Sequence, residues 1–194
     1  MIKTPESVRY AKKIWAHMND RCYASYVTDE KPSYLECVNY FEDVNSFVDW
    51  CHDSPGFLEV HENQRWGLDK DILNQGNKIY SPQNCCFVPE FVNNVFLIRN
   101  AKRGNYPCGV TKTYKSSTYK ARCCTFSGRL EVCGFKTPMS AHMKWAELKA
   151  CHTLEVAERY KSLEGSREDV VQAIMIRYHQ LMLAIEQETE VLFL

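Results

Sequence analysis

Long apolar runs are missing from the sequence, and their absence excludes an obvious membrane-spanning helix. The first residues, MIKTPESVRYAKKIW, are charged and amphipathic, without the apolar segment that a secretory signal peptide requires. We therefore expect a cytoplasmic protein with no membrane partner.

Zinc-ligand spacing is also missing, although the chain has ten cysteines. There is no C-x-x-C pair and no Cys/His ladder, and clustering is limited to Cys85–Cys86 and Cys123–Cys124. Structural zinc sites usually take ligands about two to four residues apart on a turn. We therefore predict no structural zinc and interpret the cysteines as reduced thiols, mostly buried as small apolar side chains.

Negative charge is unevenly distributed, although the formal net charge of the chain is zero. Residues 98–130 contain no Asp or Glu. Their basic residues are Arg99, Lys102, Arg103, Lys112, Lys115, Lys120, Arg122 and Arg129. Residues 29–71 are acidic, with only Lys31, Arg65 and Lys70 as basic residues. The basic segment indicates either a phosphate-bearing partner or a solvated basic surface.

Hydrophobic periodicity predicts helices near residues 4–22, 41–51, 137–160 and 166–185. Thr4 with Pro5, and Thr137 with Pro138, are typical of helix starts. Residues 68–73 and 79–88 are predicted to pair as a hairpin, followed by a short helix from Pro89 to about Phe96. CGVTKTY, TYKARCCTF and RLEVCGF, within residues 108–135, predict three strands joined by polar turns.

These elements predict an α+β protein of three segments. Residues 1–100 form a helical N-terminal region with a ββα unit, and residues 105–162 form a three-stranded antiparallel sheet with one helix. Residues 163–194 form a C-terminal helix, whose periodicity fits either intramolecular packing or a homodimer interface.

The second predicted strand of the sheet has two chemically different faces. Alternation places Tyr119, Ala121 and Cys123 on one face, suited to pack under the helix that starts at Pro138. Lys120, Arg122 and Cys124 lie on the other face and are expected to meet solvent beside Lys112 or Lys115. A sheet with one covered face and one cationic face can lie in a DNA groove.

The segment GVTKTYKSSTYKARCCTFSGRLEVCGFKTPMSAHMKWAELK resembles the APETALA-type (ethylene-response) DNA-binding domain. The matching positions are Gly109-Val110, Tyr119-Lys120-Ala121-Arg122, Gly134-Phe135, and Thr137 with Ala141. The resemblance implies a three-stranded sheet docked in the major groove of double-stranded DNA, with the helix behind it. The implied DNA-binding residues are Lys112, Lys115, Tyr119, Lys120, Arg122 and Arg129.

Residues 68–93, LDKDILNQGNKIYSPQNCCFVPEFVN, resemble the HNH nuclease segment that commonly precedes this domain in bacterial and phage proteins. YAKKIWAHMNDRCY and KPSYLECVNYFEDVNSFVDW resemble the leader of phage-type HNH proteins. Together these resemblances imply a homing-endonuclease-like protein, encoded by a phage or prophage and acting inside a bacterial cell.

An HNH centre needs a histidine base, an asparagine that orients it, and one divalent ion near the scissile phosphate. The resemblance places the orienting residue at Asn77 and the last residue at Asn93. The resemblance also implies that Asp69, Asp71 and Asn93 together would hold Mg²⁺ or another divalent ion. The position of the expected histidine is Gly67, so His61 or Asp69 would have to act as the base.

Losing a general base typically costs about 10²–10⁴-fold in rate. We therefore predict a DNA-binding protein derived from a phage-type HNH homing endonuclease, with weak or lost nuclease activity. The alternatives are an active metal-dependent endonuclease and a phage counter-defence protein that binds a host protein complex through residues 29–71. The purely structural interpretation is that Asp69, Asn77, Asn84 and Asn93 cap turns.

Overall fold

The computed structural model describes residues 2–30, 32–96 and 105–192 of a mixed α/β protein. The chain forms two compact units: unit 1 contains residues 1–93 and 163–170, and unit 2 contains residues 94–162 and 171–194. The predicted basic residues Arg99, Lys102 and Arg103 lie outside the described residues. Within the described ranges, no helix is long and apolar enough to cross a membrane.

Unit 1 begins with helical structure, as the periodicity predicted. In chain order its first elements are α1 (Pro5–Tyr23), α2 (Ser25–Glu30), a 3₁₀ turn (Pro32–Tyr34), β1 (Val38–Asn39) and α3 (Val44–Asp53). The Thr4 and Asp43 side chains accept hydrogen bonds from backbone N–H groups in the first turns of α1 and α3. These N–H groups have no partner within the helix itself. The predicted cap at Thr4 is therefore confirmed.

Short strands make up the rest of unit 1. They are β2 (Val60–His61), β3 (Gln64–Arg65), β4 (Gly67–Asp69), β5 (Ile79–Tyr80) and β6 (Cys86–Val88), followed by α4 (Glu90–Val95). β4 and β6 pair in antiparallel fashion and α4 follows β6, but residues 70–85, which include β5, lie between the two strands. The expected partner of residues 79–80 was wrong, because β5 pairs in parallel with β1 instead.

Aromatic side chains form much of the core of unit 1. The rings of Phe41 and Phe47 meet edge to face at 4.9 Å between centroids, and those of Phe57 and Phe87 lie 5.3 Å apart. Trp66, just before β4, is 2% exposed. Burial of these large rings is the main favourable term available to strands that are only two or three residues long.

Unit 2 contains the predicted three-stranded sheet. Its elements are β7 (Val110–Lys112), β8 (Tyr119–Thr125), β9 (Gly128–Phe135), α5 (Pro138–Lys161) and α6 (Glu168–Glu186). The first three residues of α6 belong to unit 1. The strand order is β7-β8-β9, with antiparallel pairing throughout. The predicted start of α5 is confirmed, because Thr137 is its N-cap.

Helix α5 covers one face of this sheet. Ala121 and Cys123 are buried against Trp145, Ala146 and Ala150, which confirms the predicted inner face of β8. The same core includes Leu181 and Ala184 of α6, so α6 packs intramolecularly.

The ten cysteines are all free thiols. Five are buried, namely Cys37, Cys51, Cys85, Cys86 and Cys123. Three are exposed, and two of these, Cys124 and Cys133, lie on strands of unit 2. The expectation that most cysteines are buried therefore holds for half of them.

Candidate functional site

Asp69 lies at the end of β4, where its side chain organises the following turn. Its Oδ1 atom accepts hydrogen bonds from the backbone N–H groups of Asp71 and Ile72, each at 2.8 Å. Burial, followed by the neighbouring carboxylate of Asp71, raises the pKa of Asp69 to about 6. Asp69 thus acts as a turn-forming residue in this structure.

Lys70 is a buried cation that the sequence analysis did not single out. Its ammonium group donates to the Asn77 carbonyl oxygen at 2.7 Å and lies 3.1 Å from an Asp71 carboxylate oxygen. Lys70 is only 6% exposed, so its hydrogen-bonding partners matter for the stability of unit 1.

The amide of Asn77 is also fully engaged in local structure. Its nitrogen donates to the carbonyl oxygens of Lys70 and Ile79, both at 2.7 Å. Its oxygen accepts from the backbone N–H of Ile79 and from the side chain of Asn84. Asn77 and Asn84 therefore tie the turn between β4 and β5, as the structural interpretation predicted.

Two of the three resemblance-based metal ligands, Asp69 and Asp71, are engaged in local contacts. Asp69 Oδ1 accepts hydrogen bonds from two backbone amides, and Asp71 Oδ2 lies 3.1 Å from the Lys70 ammonium nitrogen. Asn93 lies on the exposed side of α4. Among residues 2–30, 32–96 and 105–192, no group of three or more His, Cys, Asp or Glu side chains could hold a metal ion.

His61 and Gly67 lie on strands that precede α4 in the chain. His61 belongs to the β2–β3 hairpin, and its ring lies 5.1 Å from the ring of Phe91 on α4. Gly67 pairs with Val88 across the β4–β6 ladder, and a Cβ atom added there would meet open space. The hairpin therefore brings His61 to the helix that carries Asn93, and the Gly67 position has room for a side chain.

The raised pKa of Asp69 predicts a pH-dependent stability that Asp69→Asn removes. In the unfolded chain the pKa of an Asp is near 3.9, whereas the pKa of Asp69 in the folded protein is about 6. Protonated Asp69 therefore contributes to the stability of the folded state below about pH 3.9, and this contribution is lost as the pH rises through about 6. An asparagine Oδ1 can still accept both backbone N–H groups, so the variant should melt roughly a few degrees higher at about pH 7.5. The two melting temperatures should converge near about pH 4.

Thermal denaturation followed by circular dichroism at several pH values checks this, with Asp53→Asn on the exposed end of α3 as the matched control. A lower melting temperature for Asp69→Asn at neutral pH would show that the ionised carboxylate stabilises the turn.

The second candidate region is the face of the unit 2 sheet that lies opposite α5, here called the outer face. Antiparallel partners share a face, so its members follow from the strand register. They are Thr111 on β7, Lys120, Arg122 and Cys124 on β8, and Arg129, Glu131 and Cys133 on β9. The side chains of β9 on this face are exposed, and those of Lys120 and Arg122 are partly exposed.

Glu131 lies between the two central cations of the outer face. Its Oε2 atom is 2.9 Å from Lys120 Nζ, and its Oε1 atom is 2.7 Å from Arg122 Nε. The hydrogen bond from Lys120, together with Arg122, holds the pKa of Glu131 below its ordinary value, so the carboxylate stays ionised.

Glu131 was missed because charge was counted along the chain, and the acid-free segment ends one residue earlier, at Leu130. The tight turn that pairs Thr125 with Gly128 places Arg122 opposite Glu131, and this register could have been counted from the sequence.

Lys112 and Tyr119 do not lie on the outer face, which corrects the expected position of Lys112. Lys112 pairs with Tyr119, so both residues lie on the same face as Ala121, where the Lys112 side chain is exposed. Tyr119 meets the ring of Tyr106 at 5.3 Å between centroids.

Lys115 is in the turn between β7 and β8, with a φ of +52°, beside a Tyr114 side chain that is 85% exposed. Hydrogen bonds between Thr113, Ser116 and Thr118 fix this turn. Lys115 is thus presented at the tip of the hairpin, at one end of the sheet.

Comparison of the chain with protein-family models, with curated proteins and with solved structures finds no match. A functional assignment therefore rests on the geometry and charges of the chain's own residues.

Proposed function

We propose that the outer face of the three-stranded sheet binds double-stranded DNA, and that the protein descends from an HNH-type nuclease whose cleavage activity is weak or lost. The observation that carries this proposal is the asymmetry of the sheet in unit 2. One face is buried under α5, and the other carries Lys120, Arg122 and Arg129 around a single carboxylate.

The spacing of these cations suits the major groove. Side chains two residues apart on an antiparallel strand are separated by about 6.8 Å, which is close to the rise of two base pairs. Lys120 and Arg122 have this spacing on β8, and Arg129 lies opposite Cys124, one further step along the same face. A major groove of about 12 Å width accepts a β-ribbon, and arginine can pair with both acceptors of a guanine edge.

The unit 1 geometry supports the loss of cleavage activity. Asp69 and Asn77 are committed to backbone hydrogen bonds, and Gly67 supplies no proton acceptor. His61, on its hairpin, is the remaining candidate base. A centre without a positioned base is expected to be slower by about 10²–10⁴-fold.

The proposal predicts DNA binding without cleavage. A fluorescently labelled duplex should bind the protein saturably at low salt and be released as salt rises. Binding releases counterions condensed on the phosphates, and this release becomes less favourable as the salt concentration increases. The same duplex and a supercoiled plasmid should remain intact with Mg²⁺ or Mn²⁺. Fluorescence anisotropy measures the binding of the duplex, and gel electrophoresis shows whether the DNA is cleaved.

Asn93→Ala and Gly67→His serve as companion variants in the cleavage assay. Gly67→His is expected to fold, because its side chain would enter open space, and to remain inactive, because the acidic ligands are engaged elsewhere. Cleavage by the wild-type protein that Asn93→Ala abolishes would establish the active-nuclease alternative. Absence of any DNA binding at low salt would refute the proposal.

A further inference from the structure

Cys108 and Cys123 lie opposite each other where the pairing of β7 with β8 begins, on the face of the sheet that α5 covers. A hydrogen bond of 2.8 Å from the Arg122 N–H to the Gly109 carbonyl oxygen extends this pairing one residue beyond β7. The next pair in the same register is Cys108 with Cys123. Cys108 packs against the buried cluster that contains Cys123 and Trp145, so the two thiols share one environment.

The position of this pair suits a disulfide bond. Hydrogen-bonded and non-hydrogen-bonded pairs alternate along an antiparallel ladder, and Gly109 with Arg122 is a hydrogen-bonded position. Cys108 with Cys123 is therefore a non-hydrogen-bonded position, where Cα atoms are typically about 4.5 Å apart and disulfides require about 4.4–6.8 Å. The His142 imidazole donates from Nδ1 to the Cys108 carbonyl oxygen at 2.8 Å, which holds this end of the pairing against α5.

The two thiols differ in their access to solvent. Cys108 lies in the turn that the Val110 N–H closes onto the Pro107 carbonyl oxygen at 3.1 Å, and it is partly exposed. Cys123 is only 3% exposed. A small oxidant from solution therefore reaches Cys108 first, and Cys123 is placed to react with the oxidised sulfur.

We propose that Cys108 and Cys123 form a redox-active pair, which hydrogen peroxide oxidises to an intramolecular disulfide. The Cys108 thiolate attacks one peroxide oxygen, the O–O bond breaks, and Cys108 becomes a sulfenic acid while hydroxide leaves. The Cys123 sulfur then attacks the sulfenic sulfur, so that the S–S bond forms and the S–O bond breaks. The departing hydroxide takes the Cys123 proton and leaves as water. Each peroxide thus accepts two electrons from the pair and, with the proton that Cys108 released, yields two water molecules.

Lys149 of α5 favours the thiolate form of this pair. Its side chain is buried, and a buried ammonium group is costly unless an opposite charge lies near it. Burial raises the pKa of the Cys123 thiol to about 11, and the charge of Lys149 acts in the opposite direction. Burial lowers the pKa of Lys149, whereas Cys123 and Cys108 raise it. An ionised thiol and the Lys149 ammonium therefore stabilise each other.

The disulfide closes the segment 108–123, which includes β7 and the turn before β8. A cross-link of this kind restricts the unfolded chain and so favours the folded state. We expect the oxidised protein to melt roughly 5–10 °C above the reduced protein, and dithiothreitol to remove the difference. Such a bond is typical of a reversible redox response and not of a permanent structural cross-link when the surroundings are reducing.

The test uses the full chain with Cys124→Ser, because trypsin otherwise leaves Cys123 and Cys124 on one peptide, residues 123–129. The reduced protein is treated with hydrogen peroxide, its remaining thiols are blocked in denaturant, and its tryptic peptides are identified by mass spectrometry. The expected product joins peptide 104–112 to peptide 123–129, and dithiothreitol separates the two. Cys108→Ala should abolish this product, whereas Cys151→Ala, at an exposed position of α5, should leave it unchanged.

Lys149→Met tests the role of the buried cation. It should slow disulfide formation several-fold and move the pH midpoint of the rate upwards, because the charge that favours the thiolate is gone. Lys149→Arg keeps the charge and should restore most of the rate. An unchanged midpoint in Lys149→Met would overturn the role of Lys149.

Three results would show that Cys108 and Cys123 are not a redox pair. They are a cross-link from Cys123 to Cys151, oxidation of Cys108 to a sulfinic acid without a cross-link, and two thiols that both stay reduced. Because this readout uses no DNA, its outcome is separate from that of the proposed function.

Discussion

Replacing Lys120 and Arg122 together with glutamate is expected to lower the affinity for duplex DNA by roughly two orders of magnitude or more. Both side chains lie on the outer face, and each base or phosphate contact of this kind contributes about 1–3 kcal/mol. Charge reversal removes both contacts and places three carboxylates together, because Glu131 is already present. Fluorescence anisotropy of a labelled duplex at low salt measures the change.

The matched control is Lys12→Glu with Lys13→Glu, two exposed residues of α1 that give the same change in net charge. This pair should leave DNA affinity within a few-fold of wild type, because it changes the net charge of the protein and removes no contact of the outer face. Lys120→Gln with Arg122→Gln should show an intermediate loss. Equal losses of DNA affinity in the Lys12/Lys13 and Lys120/Arg122 variants would show that the outer face is not the DNA-binding surface.

Gly109→Ala is expected to cause the largest loss of stability in unit 2. Gly109 has a φ of +73°, and a Cβ atom there would lie 2.0 Å from Cδ1 of Trp145. The indole is 5% exposed and belongs to the core between the sheet and α5, so it has little room to move. Overpacking and left-handed backbone strain together predict about 3 kcal/mol or more of destabilisation.

Thermal denaturation checks this prediction, with an expected fall of roughly 6–12 °C in the melting temperature. Gly128→Ala is the matched control, because Gly128 has a φ of +102° and no atom within 4 Å of an added Cβ. It should show the backbone strain alone and therefore a smaller loss. Equal melting temperatures for the two variants would mean that the contact with Trp145 adds no destabilisation beyond the backbone strain.

The fold of unit 2 was largely predictable because its signals are local. Thr137 and Pro138 define the start of α5, and two tight turns define the sheet. Gly134 illustrates the limit of such reasoning. Its φ of +96° and the register shift between Tyr119 and Lys120 indicate a β-bulge there, which a strict alternation pattern does not predict.

The short strands of unit 1 could not be predicted with the same success. β1 and β5 are two residues each, too short to show a period of two, and their parallel pairing joins residues about forty positions apart. The acidic and amide residues of the segment 69–84 also had two interpretations in the sequence. Hydrogen bonds to backbone groups decide their structural role, and such bonds depend on the folded turn rather than on residue type.

The candidate site on the sheet was half predictable. Alternation along β8 correctly separated Ala121 and Cys123 from Lys120 and Arg122. Glu131 required the cross-strand register as well, because it is distant from Arg122 in sequence and adjacent to it in space.

Native thiols allow the most direct test of the central claim, that the outer face binds duplex DNA. Cys124 and Cys133 are exposed on the outer face, and Cys151 is exposed on α5. Alkylation rates of the three thiols, measured by mass spectrometry with and without saturating duplex DNA at low salt, report which surface the DNA covers. DNA binding at the outer face predicts slower alkylation of Cys124 and Cys133 with Cys151 unchanged. Unchanged rates at all three thiols, or protection of Cys151 alone, would contradict it.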